Sequence, residues 1–155
     1  MKIKFFIIVL VLFYSLSAKL LSDEVNFNAK KMEVQDNGNN IIAYISETFI
    51  PEKNININSD VANYNKNKKE LIFTDNVYLK DNANDLIIES DKIKYQKDKD
   101  IFYSSGDTKF QISGKYIIYS SNVYFDRKLQ NIFGNDKTKI EDHEKNVFNL
   151  KNGFI

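Results

Sequence analysis

The sequence predicts an all-β protein built as a repeated antiparallel stack, and three observations carry that reading. Apolar residues alternate at i, i+2, i+4 in run after run, no segment keeps apolar spacing at i, i+3, i+4, i+7, and short polar turns separate the runs at regular intervals. The alternation itself recurs. One skeleton appears as Val25-Phe27-Ala29-Met32-Val34, Ile55-Ile57-Ser59-Ala62-Tyr64, Leu86-Ile88-Ser90-Ile93-Tyr95 and Tyr116-Ile118-Ser120-Val123-Phe125, and the copies start 30, 31 and 30 residues apart. A fixed period in that range marks one structural unit laid down several times. Within each copy the first three positions share a strand face. The odd three-residue step after the small residue would flip that face unless the backbone bends or bulges there. Each copy therefore predicts a strand that turns a corner.

Taken in order, residues 1–18 read as a signal peptide. Lys2 and Lys4 precede an unbroken apolar run from Phe5 to Tyr14, and Ser15-Leu16-Ser17-Ala18 offers small residues for cleavage after Ser17 or Ala18. The run is about ten residues, short for a bilayer span. Residues 19–155 then form one domain, exported from the cytoplasm. Turn clusters follow each skeleton: Asp36 to Asn40, Asn65 to Lys69, Gln96 to Asp100 and Asp126-Arg127-Lys128. Second strands are expected over Ile41 to Ile45, Leu71 to Thr74, Ile101 to Ser105 and Gln130 to Phe133. After the breaks Asp75-Asn76 and Gly106-Asp107, third short strands are expected over Val77 to Leu79 and Thr108 to Ile112. Connections this short join antiparallel neighbours, since a parallel crossover needs a dozen or more residues. The sole proline, Pro51, falls between copies one and two, where a missing N–H costs little. Phe148 and Leu150 begin a fifth alternation in phase, so the domain reads as continuing beyond Ile155.

One apolar face per strand allows two sheets packed face to face or one folded sheet enclosing an apolar groove. The phase turns Ile57, Ile88 and Ile118 inward and Asn58, Glu89 and Ile117 the other way. A chain without cysteine has no disulfides, so packing and strand pairing must hold it. A formal net charge of +1, with 22 basic and 21 acidic residues spread through the turns, offers no stripe for nucleic acid and no polybasic patch. Catalytic constellations are thin. The single histidine, His143, sits in the charged turn Glu141 to Lys145, and Asp60, Glu89, Asp91 and Asp107 fall on outward or corner positions. No phosphate loop, metal-ligand spacing or nucleophile motif is present, so the reading is non-enzymatic and without cofactor. The corner residues Ser59, Ser90, Ser120 and Ala29 read as structural, because a bending strand needs small side chains where sheets approach.

Ile57-Asn58-Ser59-Asp60-Val61-Ala62-Asn63-Tyr64 with Phe73-Thr74-Asp75-Asn76-Val77, and Ile88-Glu89-Ser90-Asp91-Lys92-Ile93-Lys94-Tyr95 with Ser105-Gly106-Asp107-Thr108, resemble the OstA-like domains of lipopolysaccharide transport. The resemblance covers Val25 to Ile155. It implies an antiparallel twisted jelly roll, groove-forming, located in the periplasm, that binds the acyl chains of lipopolysaccharide and joins other OstA-like domains by edge-strand pairing. It implies most closely the N-terminal domain of the outer-membrane translocon, with the barrel in cis, because Val147 to Leu150 looks like a run-on toward barrel strands. The free periplasmic bridge is the alternative, a ligand-free β-solenoid the third reading, and the cleavable leader disfavours the membrane-anchored member. The implied groove is lined by Phe27, Met32, Ile55, Ile57, Ala62, Tyr64, Leu86, Ile88, Ile93, Tyr95, Ile118, Val123 and Phe125. The implied partner edge is Val25, Asn26, Phe27, Asn28 and Ala29.

Overall fold

Val, Ile, Tyr and Phe at alternate positions favour extended backbone with one buried face, and every long run becomes a strand. The computed structural model describes residues 25–134, 136–151 and 153–154; the leader and its cleavage site lie outside them. The strands are β1 (Asn26–Gln35), β2 (Asn40–Ile50), β3 (Ile55–Asn65), β4 (Glu70–Asp81), β5 (Leu86–Gln96) and β6 (Ile101–Ile112). They continue as β7 (Tyr116–Ser121), β8 (Val123–Asp126), β9 (Asn131–Gly134), β10 (Thr138–Asp142), β11 (Val147–Leu150) and β12 (Gly153–Phe154). All twelve belong to one antiparallel meander in the order β1-β2-β3-β4-β5-β6-β7-β10-β11, from which β8, β9 and β12 branch alongside β6.

The branch shows how the sheet is folded. The second half of β6 pairs with β7, and its first half pairs with β8. Registers shift between Asn58 and Val61, between Thr74 and Val77, and between Ser90 and Lys92, all at the same height in neighbouring strands. Left-handed backbone recurs at that height, at Ile45 (φ 48°), Asp75 (62°), Asn76 (52°), Gly106 (83°) and Asn122 (52°). Each strand thus crosses one shared corner. The sheet closes on itself as two leaves, leaf I ending in the turns near residues 36–39, 66–69, 97–100 and 127–130, and leaf II in those near 51–54, 82–85 and 113–115.

The expected second and third strands are therefore single bent strands. Asp75-Asn76 and Gly106-Asp107 leave the ladder for a residue or two, after which the strand re-pairs with the neighbour it had before. A break that returns to the same partner is a bulge, not a hairpin. The fourth skeleton divides at Asn122 into β7 and β8, one in each leaf. Val147–Leu150 pairs with β10 and, among the described residues, stands at the edge of leaf II.

The core lies between the leaves. Ile50, Ile55, Ile57, Leu79, Ile88, Phe110 and Ile118 come from leaf II, and Ala43, Ala62, Leu71, Phe73, Ile93 and Tyr95 from leaf I; none is more than 1% exposed. Asn58 and Glu89 are exposed and Ile117 is half-buried, as the repeat phase requires. An aspartate in that core would be an unpaired buried charge. Ile88→Asp is expected to cost about 3 kcal/mol or more in a denaturant melt, and Asn56→Asp on the wet face less than about 0.5 kcal/mol. Equal losses would mean the faces are assigned wrongly.

Candidate functional site

The interior is built from transverse rows, one residue from each strand. In leaf II the register runs Phe27, Thr48, Ile57, Leu79, Ile88, Phe110, Ile118, Ile140, Phe148 without interruption. In leaf I it runs Val34, Ile41, Tyr64, Leu71, Tyr95, Phe102, Phe125, Ile132. Eight spacings between nine strands give a path of about 38 Å. Tyr95 and Phe102 stack at 4.3 Å between ring centroids, and Phe102 and Phe125 follow at 6.5 Å. Of the residues expected to line a groove, Ile55, Ile57, Ala62, Tyr64, Leu86, Ile88, Ile93, Tyr95, Ile118, Val123 and Phe125 are buried, and Phe27 is half-buried. Met32 pairs with the buried Ala43, so it faces inward, yet it is 45% exposed, because among the described residues β1 ends the stack. From β2 to β9 these side chains are buried against one another in a single cluster, so they fill the space between the leaves there.

The corner carries hydroxyls as well as small volume. Ser59 Oγ donates to the Val61 carbonyl (3.1 Å), Ser90 Oγ to the Lys92 carbonyl (3.2 Å), Thr108 Oγ1 to the Gly106 carbonyl (3.1 Å) and Thr138 Oγ1 to the Asp136 carbonyl (3.2 Å). Each bond ties a strand to its own bend. Ser90 also meets Thr108 at 3.0 Å, and Ser120 meets Thr138 at 2.9 Å, across strands. Gly106 is required there twice over. Its φ is +83°, and a Cβ would lie 2.8 Å from the Asp91 carboxylate.

Opposite the corner, where the leaves meet at their turns, lies a charged cluster that the turn-like sequence around it concealed. Arg127, which the sequence places in a turn cluster, is 8% exposed. From the leaf I turn its Nε and Nη2 donate to the two Asp81 oxygens of leaf II (2.7 and 3.1 Å). Its Nη1 donates to both Asp100 oxygens (2.8 and 3.1 Å), and Nη2 also reaches the Lys53 carbonyl (3.3 Å). Asp81 occupies an inward position between Ile55 and Leu86 and is fully buried. Tyr95 Oη donates to Asp100 (2.7 Å), and Lys53 Nζ of leaf II lies 3.3 Å from the same carboxylate. Gln130 Nε2 donates to Asn84 Oδ1 (3.1 Å) just outside. One signal could have exposed this cluster: Arg127 is the only arginine among 22 basic residues. A planar fork with five donors can hold two carboxylates at once, which a lysine ammonium cannot do with the same geometry.

Burial raises the Asp100 carboxyl, but the hydrogen bonds from Arg127 and Tyr95 and the charges of Arg127 and Lys53 outweigh it and hold it below the ordinary 3.8. Burial lowers Arg127, and its bonds to Asp81 and Asp100 more than reverse this. Burial and the neighbouring carboxylate push the Tyr95 phenol far above its usual range.

One antiparallel sheet folded at a shared corner around an apolar interior is the twisted jelly roll that the sequence resemblance implied. Residues 15–119 match the family described as lipopolysaccharide-assembly, LptC-related, and the chain belongs to that family. A similar fold is found in the crystal structure of LptH, the LptA-homologous periplasmic component of the conserved lipopolysaccharide transport device from Pseudomonas aeruginosa. The TM-score is 0.65 at 8% identity, covering 83% of this chain and 94% of that one. Comparison with curated protein sequences gives no match.

The cluster sets an expectation for stability. Arg127→Met leaves the buried Asp81 without its cation and Asp100 with Lys53 alone, and is expected to cost about 3–5 kcal/mol. A carboxyl lowered by folding contributes stability that is present above its ordinary value and lost as pH falls through the folded one. Melting of the parent should therefore decline in acid below pH 3.8, and Asp100→Asn should flatten that decline while being less stable at neutral pH. Identical acid profiles would show that Asp100 is not held in this way.

Proposed function

We propose that the protein is a periplasmic bridge component of lipopolysaccharide transport, passing acyl chains along the interior between its leaves toward neighbouring jelly-roll domains. The single observation behind this is the inward row from Phe27 to Phe148, in which Thr48 is the one polar member and which runs from one terminal strand to the other. Apolar side chains stay uncovered at both ends: Met32 (45%) and Val34 (63%) on β1, Val147 (48%) and Phe148 (52%) on β11. At about 0.8 kcal/mol per methylene, full enclosure of one twelve-carbon chain would be worth roughly 9 kcal/mol. Several chains so held would not leave. Partial burial at similar sites in series suits a conduit, and constant strand spacing supplies such sites. Membership of the LptC-related family and the fold shared with the periplasmic component LptH favour the bridge over the translocon N-terminal domain.

Photo-crosslinkers at Phe27, Ile88 and Phe110 are expected to capture purified lipopolysaccharide, whereas those at Asn56 on the outer face and Asn67 in a turn are not. Equal capture at all positions would leave a closed, ligand-free stack as the better reading.

Among the described residues β1 pairs only with β2, so its outer side presents unpaired backbone groups. The proposal places a strand of a neighbouring domain there, continuing the inward rows past Met32 and Val34. Consecutive residues aim their N–H groups to opposite sides, so one of Asn28→Pro and Ala29→Pro removes a donor facing away from β2. That variant should weaken docking to a second jelly-roll domain while the remaining strands stay folded. Unchanged docking by both, in folded protein, would mean the edge is not used.

A further inference from the structure

The path just described is filled by its own side chains, so acyl chains reach it only if something moves. At the corner nothing can part, because β2 to β6 pass from leaf to leaf as continuous main chain. Along the two rims, backbone hydrogen bonds join turns of the same leaf: Lys66 N to Asn39 O (2.8 Å), Lys97 N to Lys69 O (2.9 Å) and Arg127 N to Asp100 O (3.2 Å) in leaf I, Asn82 N to Asn54 O (3.1 Å) and Ser113 N to Asp85 O (2.8 Å) in leaf II. Across the mouth between the rims, the contacts among the described residues are made by side chains: Arg127 to Asp81 and to the Lys53 carbonyl, Lys53 to Asp100, Lys97 to Glu52 at 3.9 Å, and Gln130 to Asn84.

We infer that this mouth is the lateral gate of the conduit, with the Arg127–Asp81–Asp100 cluster as its latch and the hydroxyl-braced corner as its hinge. The inference rests on the proposed lipid-carrying role. The division of labour follows from where the bonds lie. Each leaf keeps its backbone ladder when the mouth opens, so the leaves swing as units. Apolar side chains that separate meet acyl chains instead of water, so burial is exchanged between partners and not lost. The latch behaves differently from the core, since no part of an acyl chain can replace Arg127 at the carboxylates. Its guanidinium stays with Asp100 on its own leaf, and Asp81 keeps the Asn84 amide (2.7 Å) and the backbone N–H groups of Ala83 and Asn84 (3.1 and 3.2 Å) on the other. Both halves of the opened latch therefore retain partners, which makes opening reversible and the closed state the resting one.

The chain contains no cysteine, so two can be introduced alone. Ala83→Cys and Leu129→Cys lie in facing turns, both exposed and neither using its side chain in the latch. The exported full chain is folded, bridged across the mouth with a reductant-cleavable bis-maleimide, and exposed to purified lipopolysaccharide with a photo-crosslinker at Phe110. The expected result is loss of capture in the bridged protein, recovery after cleavage, and normal capture when Lys68→Cys and Lys99→Cys are bridged within leaf I. Undiminished capture in the mouth-bridged protein would overturn the gate and send the chains in through the ends of the stack. Equal loss with the within-leaf bridge would overturn it too, by showing that stiffening of any kind is enough. Failure of the unbridged parent to capture lipopolysaccharide would instead remove the conduit reading and the gate with it.

Discussion

The rest of the structure depends on one constraint: strands β2 to β6 each bend at the same height. A flat sheet of this sequence would expose its apolar face, and two separate sheets would need connections longer than the turns provided. Bending each strand once solves both problems, since the two halves of a strand then face each other with no extra chain. The bend is held locally, by left-handed residues and register shifts, and by hydroxyls that bond carbonyls two residues away or so. It is also held collectively, because Ser90 with Thr108 and Ser120 with Thr138 link the bends of neighbouring strands.

A folded sheet of this kind has an asymmetric boundary. Among the described residues the corner is covalent, the two ends are strands paired on one side, and the mouth is closed by side chains. Chemistry follows from that asymmetry. Buried charge is a poor way to gain stability, because desolvation offsets most of the attraction. It is a good way to fix which surfaces meet, because the alternative pairings leave a charge unpartnered. Arg127 does this between turns that the backbone ladder leaves unconnected, and Asp81 accepts the cost of an inward position in an apolar row to meet it.

At 8% identity the fold is shared with a periplasmic lipopolysaccharide-transport component. Such divergence is tolerable where only polarity and volume at alternate positions matter. An interior packed with apolar side chains asks for few directed donors or acceptors along its length. Directed polar contacts gather at the mouth and at the hydroxyl-braced corner.

The all-β class, the antiparallel meander, the four-copy phase and the inward positions of Ile57, Ile88 and Ile118 were legible because period-2 alternation and short turns are local properties of a chain. The corner itself was legible, from the odd step after Ala29, Ser59, Ser90 and Ser120. That Asp75-Asn76 and Gly106-Asp107 are bulges was not, because turn residues and bulge residues favour the same left-handed backbone and differ only in which strand is met afterwards. Met32 carried an inward phase that the sequence could assign, but its exposure depends on standing at the end of a stack. The Arg127–Asp81–Asp100 cluster shows the same limit most sharply. Asp100 and Asp81 lie 27 and 46 residues from Arg127, at turns and strand ends that no local pattern links. Sequence by itself determined the faces of the strands, since these follow from spacing along one chain. Only the tertiary structure decided which turns oppose each other, because that is fixed by how far the leaves close about the corner.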